Sequence, residues 1–118
     1  MNTQQMAEKF TELCRAGQFE TAGKQFWADD VVSLEPMTGE WARTQGRKDV
    51  EAKGKWWAEN NQVHSIKVEG PFLHGDQFAL RFEMEMTPKG KSRTRATEIG
   101  LYEVKNGRIV EERFLSGA

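Results

Sequence analysis

The sequence predicts an α+β domain in which N-terminal helices pack on a mainly antiparallel sheet. Three observations predict it. Apolar residues recur at helical spacing in most of the first 60 residues. From about residue 61 the spacing changes to two, the period of strands. The strands are separated by short turn signals, Gly75-Asp76, Pro88-Lys89-Gly90-Lys91 and Asn106-Gly107. Tight turns join antiparallel neighbours, whereas a parallel sheet needs helical crossovers. At 118 residues the chain is expected to be one domain over 1–118, because domains cluster near about 100–150 residues.

Thr3 is read as the cap of a first helix, with Met6, Phe10, Leu13 and Cys14 on one face and Gly17 as its stop. A second helix runs from about Phe19 to Phe26, with Ala22 and Phe26 on the Phe19 side. Asp29 and Asp30 are expected to end it. A first strand, Val31 to Glu35, stops at Pro36. A loop with Trp41 and Gly46 leads to a third helix, about Lys48 to Asn60. Val50, Gly54 and Trp57 form its stripe, with Trp56 beside it. His64, Ile66 and Val68 then share one strand face, and Gly70-Pro71 interrupts that strand as a bulge. Phe78, Leu80, Phe82, Met84 and Met86 make an unbroken apolar face opposite Ala79, Arg81, Glu83 and Glu85. The next strand is about Ser92 to Val104, and the last runs from Arg108 to about Leu115. A strongly curved sheet cannot touch three helices everywhere. It leaves a cone-shaped cavity, the usual kind of small-molecule site.

Composition excludes several functions. Residues 1–60 carry 8 bases and 10 acids, and residues 61–118 carry 9 and 8, for a net charge of −1. Neither half has the basic excess of a nucleic-acid binder. The cluster Lys89, Lys91, Arg93 and Arg95 surrounds a turn and reads as a solvated hairpin tip. No apolar run is long enough to span a membrane, and no secretion leader is visible. Cys14 is the only cysteine, which rules out an internal disulfide and fits a cytoplasmic protein. His64 and His74 have no acid at ligand spacing, so no metal is expected. No phosphate-cradling glycine loop is present, and no cofactor is expected.

Four stretches carry a family resemblance: Arg15-Ala16-Gly17-Gln18-Phe19, Phe26-Trp27-Ala28-Asp29-Asp30-Val31-Val32, Gly46-Arg47 with Val50 and Trp56-Trp57, and the final hairpin from Tyr102 to Glu112. In order and spacing they resemble the SnoaL-like families of the nuclear transport factor 2-like superfamily, which includes ketosteroid isomerases and polyketide cyclases. The resemblance implies a cone-like, cystatin-like fold and frequent homodimers, but no single activity. Glu35 before Pro36 falls where the isomerases keep their general base. Phe10 stands where they keep an oxyanion-stabilising tyrosine. Their protonated aspartic acid falls near Ile99 or Gly100, with Glu98 a neighbour. A steroid isomerase mechanism is therefore disfavoured, since each lost oxyanion donor costs a few kcal/mol. The resemblance leaves room for a polyketide cyclase, which leans on a single acid/base group.

The candidate catalytic residues are Glu35, as base, and His64, whose charge changes near neutral pH. The bland alternatives are a solvated turn carboxylate and a hydrogen-bonded rim histidine. Trp41, Trp56, Trp57 and Phe82 are the candidate aromatic ligand wall, with Phe72, Met84 and Met86 beside it. Parity puts Glu98 and Tyr102 on one face of their strand and Glu112 and Phe114 on one face of the last, but both faces are mixed. The pattern leaves open which face is inward; the resemblance implies that these four line the cavity. Mixed faces are expected where one side lines a cavity and the other meets a second subunit. A buried glutamate needs a partner or takes up a proton, and Arg81, Arg93, Arg95 and Arg113 are available as partners. The expected partner is a small hydrophobic molecule, with a homodimer as the assembly. Two functions compete: acid/base chemistry of isomerase, cyclase or hydratase type, and a non-catalytic binding or dimerisation module.

Overall fold

The structure, a computed structural model, describes residues 1–116; the last two residues of the expected domain lie outside the described residues. The elements are α1 (Thr3–Arg15), α2 (Phe19–Phe26), β1 (Trp27–Leu34), β2 (Arg43–Gln45), α3 (Arg47–Asn60), β3 (Asn61–His74), β4 (Gln77–Pro88), β5 (Thr94–Lys105) and β6 (Arg108–Ser116). Three helices thus pack on a six-stranded sheet of order β2-β1-β6-β5-β4-β3. All neighbouring strands are antiparallel except β1 and β6, which run parallel.

The α1 cap is Asn2, not Thr3. The Asn2 side chain accepts from the Gln5 backbone N–H at 2.8 Å, and the Gln5 side chain accepts from the Asn2 N–H at 3.0 Å. This reciprocal capping box satisfies two helix-end donors. The Thr3 hydroxyl instead donates to Asp76 at 3.0 Å, tying the helix start to the β3–β4 turn.

Asp29 and Asp30 do not separate α2 from the first strand. That strand begins at Trp27, directly after Phe26, and both aspartates lie inside it, exposed. They occupy the stretch where the β1–β6 register shifts, between Trp27 and Val32, so their carboxylates reach water. The short strand β2 was not expected, because three residues are too few to show a period of two.

The β4 face predicted from alternation is the centre of the core. Phe78, Leu80, Phe82, Met84 and Met86 are all buried, against Met6, Phe10 and Cys14 of α1. Phe10 meets Phe26, Phe78 and Tyr102 edge-on, with centroids 5.0–6.2 Å apart. The bulge at Gly70-Pro71 is present as a register shift between Glu69 and Phe72. It turns Phe72 outward, 61% exposed, so Phe72 is not part of the inner apolar wall. Asn106 and Gly107 both take positive φ, 53° and 74°, as the two-residue β5–β6 hairpin requires.

Candidate functional site

Between the helices and the sheet lies a cavity of about 490 Å³. Phe82 and Met84 of β4, Tyr102 of β5 and Phe114 of β6 form one wall. Phe10 and Cys14 of α1, Phe19 of α2 and Trp57 of α3 form the other. Trp41 and Trp56 stack at the cavity's edge, centroids 5.8 Å apart at 27°. All eight residues expected to bind ligand line this space: the three tryptophans, Phe82, Glu98, Tyr102, Glu112 and Phe114. Glu35 lines it too. Met86 does not.

His64 does not join them. It is exposed on β3, its ring nitrogen 2.7 Å from the Thr87 hydroxyl. The register shifts between Val63 and Ser65, leaving His64 as the extra residue. The shift breaks the parity that grouped it with Ile66 and Val68, so the imidazole lies outside the cavity although those two residues face the core side.

The polar floor is organised by Lys53, a residue the sequence reading passed over. Lys53 is only 6% exposed. It sits three residues after Val50 and four before Trp57, on the apolar stripe of α3, and that position was the available signal. Its ammonium donates to Glu35 Oε2 at 2.5 Å and to the Ser33 hydroxyl, and lies 3.8 Å from Glu112 Oε2. It also sits 5.2 Å from the centroid of the Phe114 ring. Ser33 faces Glu112 across the parallel β1–β6 pair and donates to its Oε2 at 2.8 Å. The Trp27 indole N–H donates to the other oxygen, Oε1, also at 2.8 Å. Trp27 is seated against Gly23, where a Cβ would come within 2.5 Å of the indole ring, so only glycine leaves room for it.

The expected arginines do not serve the buried acids. Arg81, Arg93 and Arg95 pair with Glu69, Glu85 and Glu83, away from the cavity, and Arg113 is exposed.

Two carboxyls, Glu35 and Glu112, therefore share one ammonium, and a third, Glu98, feels its charge from farther off. Burial pushes the Glu112 carboxyl up, while Lys53, Trp27 and Ser33 pull it back. Glu98 is pushed up to about 7, first by burial, then by the negative charge of Glu35; Lys53 opposes and Glu112 adds. Among the described residues the Glu98 carboxyl, unlike its sheet-paired backbone, has no hydrogen-bond or ion-pair partner. The Tyr102 hydroxyl also makes no hydrogen bond among them, and burial holds its proton on well above the usual range. Burial likewise pushes the Cys14 thiol up to about 12, which makes it inert.

Three helices on a six-stranded sheet make the fold with which the comparisons agree. The SnoaL-like domain profile matches residues 1–116. This chain belongs to the SnoaL-like family. A Mesorhizobium loti protein, suggested to be a SnoaL-like polyketide cyclase and also labelled carbohydrate phosphatase, is 46% identical to it. That pair superimposes with a TM-score of 0.94 over 98% of this chain and 99% of the other. A Xanthomonas campestris protein of unknown function with a cystatin-like fold is 19% identical, with a TM-score of 0.81 over 100% and 92%. A Bacillus subtilis protein suggested to be an isomerase is 17% identical, with a TM-score of 0.74 over 99% and 90%. At these lower identities the likeness shows the fold alone. No curated protein matches the chain. The SnoaL-like domain has no helix long and apolar enough to cross a membrane among its described residues.

Proposed function

We propose that this SnoaL-like domain binds a small hydrophobic molecule in its cavity and moves a proton on it. The observation that carries the reading is Glu98: an unpartnered carboxyl on the wall of an apolar cavity, pushed up to about 7. A group with that value accepts and returns protons at neutral pH. Glu35, the base expected from its place before Pro36, is occupied by Lys53 at 2.5 Å, so the proton-transfer role passes to Glu98. Abstraction from a carbon beside a carbonyl leaves negative charge on the carbonyl oxygen. The Tyr102 hydroxyl, protonated and without a partner, is the donor for that oxygen. Lys53, clamped by Glu35, Ser33 and Glu112, supplies fixed positive charge nearby. Isomerisation, cyclisation and dehydration all begin with such a step.

The test uses 2-tetralone, a neutral aromatic ketone. Binding is followed by tryptophan fluorescence, and exchange of its α-protons for deuterium by NMR. The expected result is binding with accelerated exchange, and a loss of exchange of about 10²-fold or more in Glu98→Gln with binding retained. Binding without exchange would favour the second reading, a non-catalytic binding module. That reading is supported by the completeness of the Trp27–Glu112–Ser33–Lys53–Glu35 network, which resembles a structural ion cluster. No binding at all would remove both.

The outer sheet face supports a homodimer. Ile99, Leu101 and Leu115 are exposed there, and cross-strand register places Phe72, Ala79 and Leu101 in one row. Such an apolar patch is an association surface. Sedimentation should give about twice 13.5 kDa, and Leu101→Glu should shift it to the monomer; a wild-type monomer at high concentration would refute the dimer. The buried, unpaired Cys14 supports a cytoplasmic setting.

A further inference from the structure

We infer that the cavity selects hydrophobic molecules bearing a protonated amine, with the Glu98 carboxylate as the counter-charge. The inference rests on the reading of the cavity as a ligand site and adds the charge of the ligand. It starts from the ionisable groups around the cavity. Six glutamates and two lysines line it, with no arginine and no histidine. Lys53 is already engaged, its ammonium lying against Glu35 and Ser33 and close to Glu112. Lys55 is exposed on α3, with Glu51 and Glu59 on the same helix, while Glu20 of α2 is paired with Lys24 at 3.0 Å. No buried cation beyond Lys53 is left to receive an anionic ligand at Glu98.

An anion entering the buried part of this space would meet the unpaired Glu98 carboxyl and no free buried cation, since Lys55 is exposed. A neutral ligand fits the walls but leaves Glu98 without compensation once it ionises. A cation supplies what the cavity lacks. An unpaired carboxylate in apolar surroundings is costly, and an ammonium brought in by the ligand removes that cost. The stacked Trp41 and Trp56 rings favour the same charge, because aromatic faces attract cations. The charges that Glu98 faces are Glu35 at the end of β1, Lys53 from α3 and Glu112 from β6, with the protonated Tyr102 and Cys14 completing the titratable groups of this wall. Of these only Lys53 is positive, and Glu35 neutralises it. The ligand's charge is thus coupled to the proton on Glu98: an ammonium beside the carboxyl drives the proton off.

The experiment is calorimetric titration with three molecules of one aromatic frame: 2-naphthylmethylamine, 2-naphthylmethanol and 2-naphthoate. At pH 8 the amine should bind about tenfold or more tighter than the alcohol, with naphthoate weakest. At pH 5.5 the amine-to-alcohol ratio should fall toward one. At pH 6.5, buffers of different ionisation heat should reveal proton release on amine binding. In Glu98→Gln the ratio should collapse while alcohol binding persists. If that variant fails to fold, the wild-type pH series decides. Naphthoate binding as tightly as the amine, or a ratio unchanged between pH 8 and pH 5.5, would overturn the inference. Alcohol binding with no amine preference would overturn it while leaving the ligand cavity standing; failure of all three to bind would remove both.

Discussion

Lys53→Met is expected to cost about 3–5 kcal/mol of stability at pH 8, the range for breaking a buried ion pair from one side. Methionine fills much of the same space, so the loss is not one of packing volume. What disappears is the only buried cation of the site. Glu112 is 4% exposed and would keep its bonds from Trp27 and Ser33 but lose its nearby positive charge. Glu35 would lose its only hydrogen-bond partner among the described side chains. The loss should depend on pH. Burial already raises the Glu112 carboxyl in the folded state, and removing Lys53 raises it further. A carboxyl raised on folding stabilises the native state below its unfolded value, and that contribution is lost as pH rises through the folded value. The deficit should therefore be small near pH 4.5 and grow toward pH 8. Urea denaturation at both pH values measures it. A deficit below about 1 kcal/mol at pH 8, or one constant with pH, would mean that Lys53 does not hold these carboxylates together.

Glu98→Gln should act in the opposite direction, stabilising the protein at pH 8.5. The carboxyl moves from an ordinary 4.5 to about 7 on folding, chiefly through burial. The folded state thus holds the proton more tightly than the unfolded chain. Its contribution is complete below about 4.5, declines as pH rises, and is gone above about 7. At pH 8.5 the wild type carries a charge in an apolar, carboxylate-rich wall. The full shift corresponds to roughly 3 kcal/mol, and partial exposure screens it to about 2 kcal/mol. Glutamine removes the charge and keeps the shape, so the gain should appear at pH 8.5 and vanish at pH 4. Thermal unfolding at the two pH values checks it. Equal stability of the two proteins at pH 8.5 would show that solvent reaches Glu98 freely. A gain would mark Glu98 as a group retained at a cost to stability, as expected of a working residue.

Much of this fold is legible along the chain because its elements are periodic. The Phe78–Met86 alternation, the α1 stripe and the Asn106-Gly107 turn each depend on neighbours within a few residues. Errors arise where periodicity is broken. The bulge at His64 reverses its facing, and the bulge at Gly70-Pro71 does the same for Phe72. Gly70-Pro71 marks its own bulge but not the facing of Phe72, and the insertion at His64 leaves no mark, because hydrophobicity alone does not say which position is extra. The capping box at Asn2 is legible in the sequence, since Asn is a stronger cap than Thr and Gln5 stands three residues on.

The acidic floor divides the same way. By itself the sequence determined that the inner wall would be apolar and aromatic, and that four side chains on β5 and β6, named by likeness and parity, were candidates for the cavity. Only the tertiary structure decided which cation serves the acids. Ser33 and Glu112 stand 79 positions apart and meet because β1 pairs with β6 in parallel. Lys53 reaches both because α3 packs on β1 and its side chain extends to Glu112 of β6. Alternation is a property of adjacent residues, whereas charge compensation is a property of the space between elements, and it is settled when α3 lays Lys53 over the β1–β6 seam.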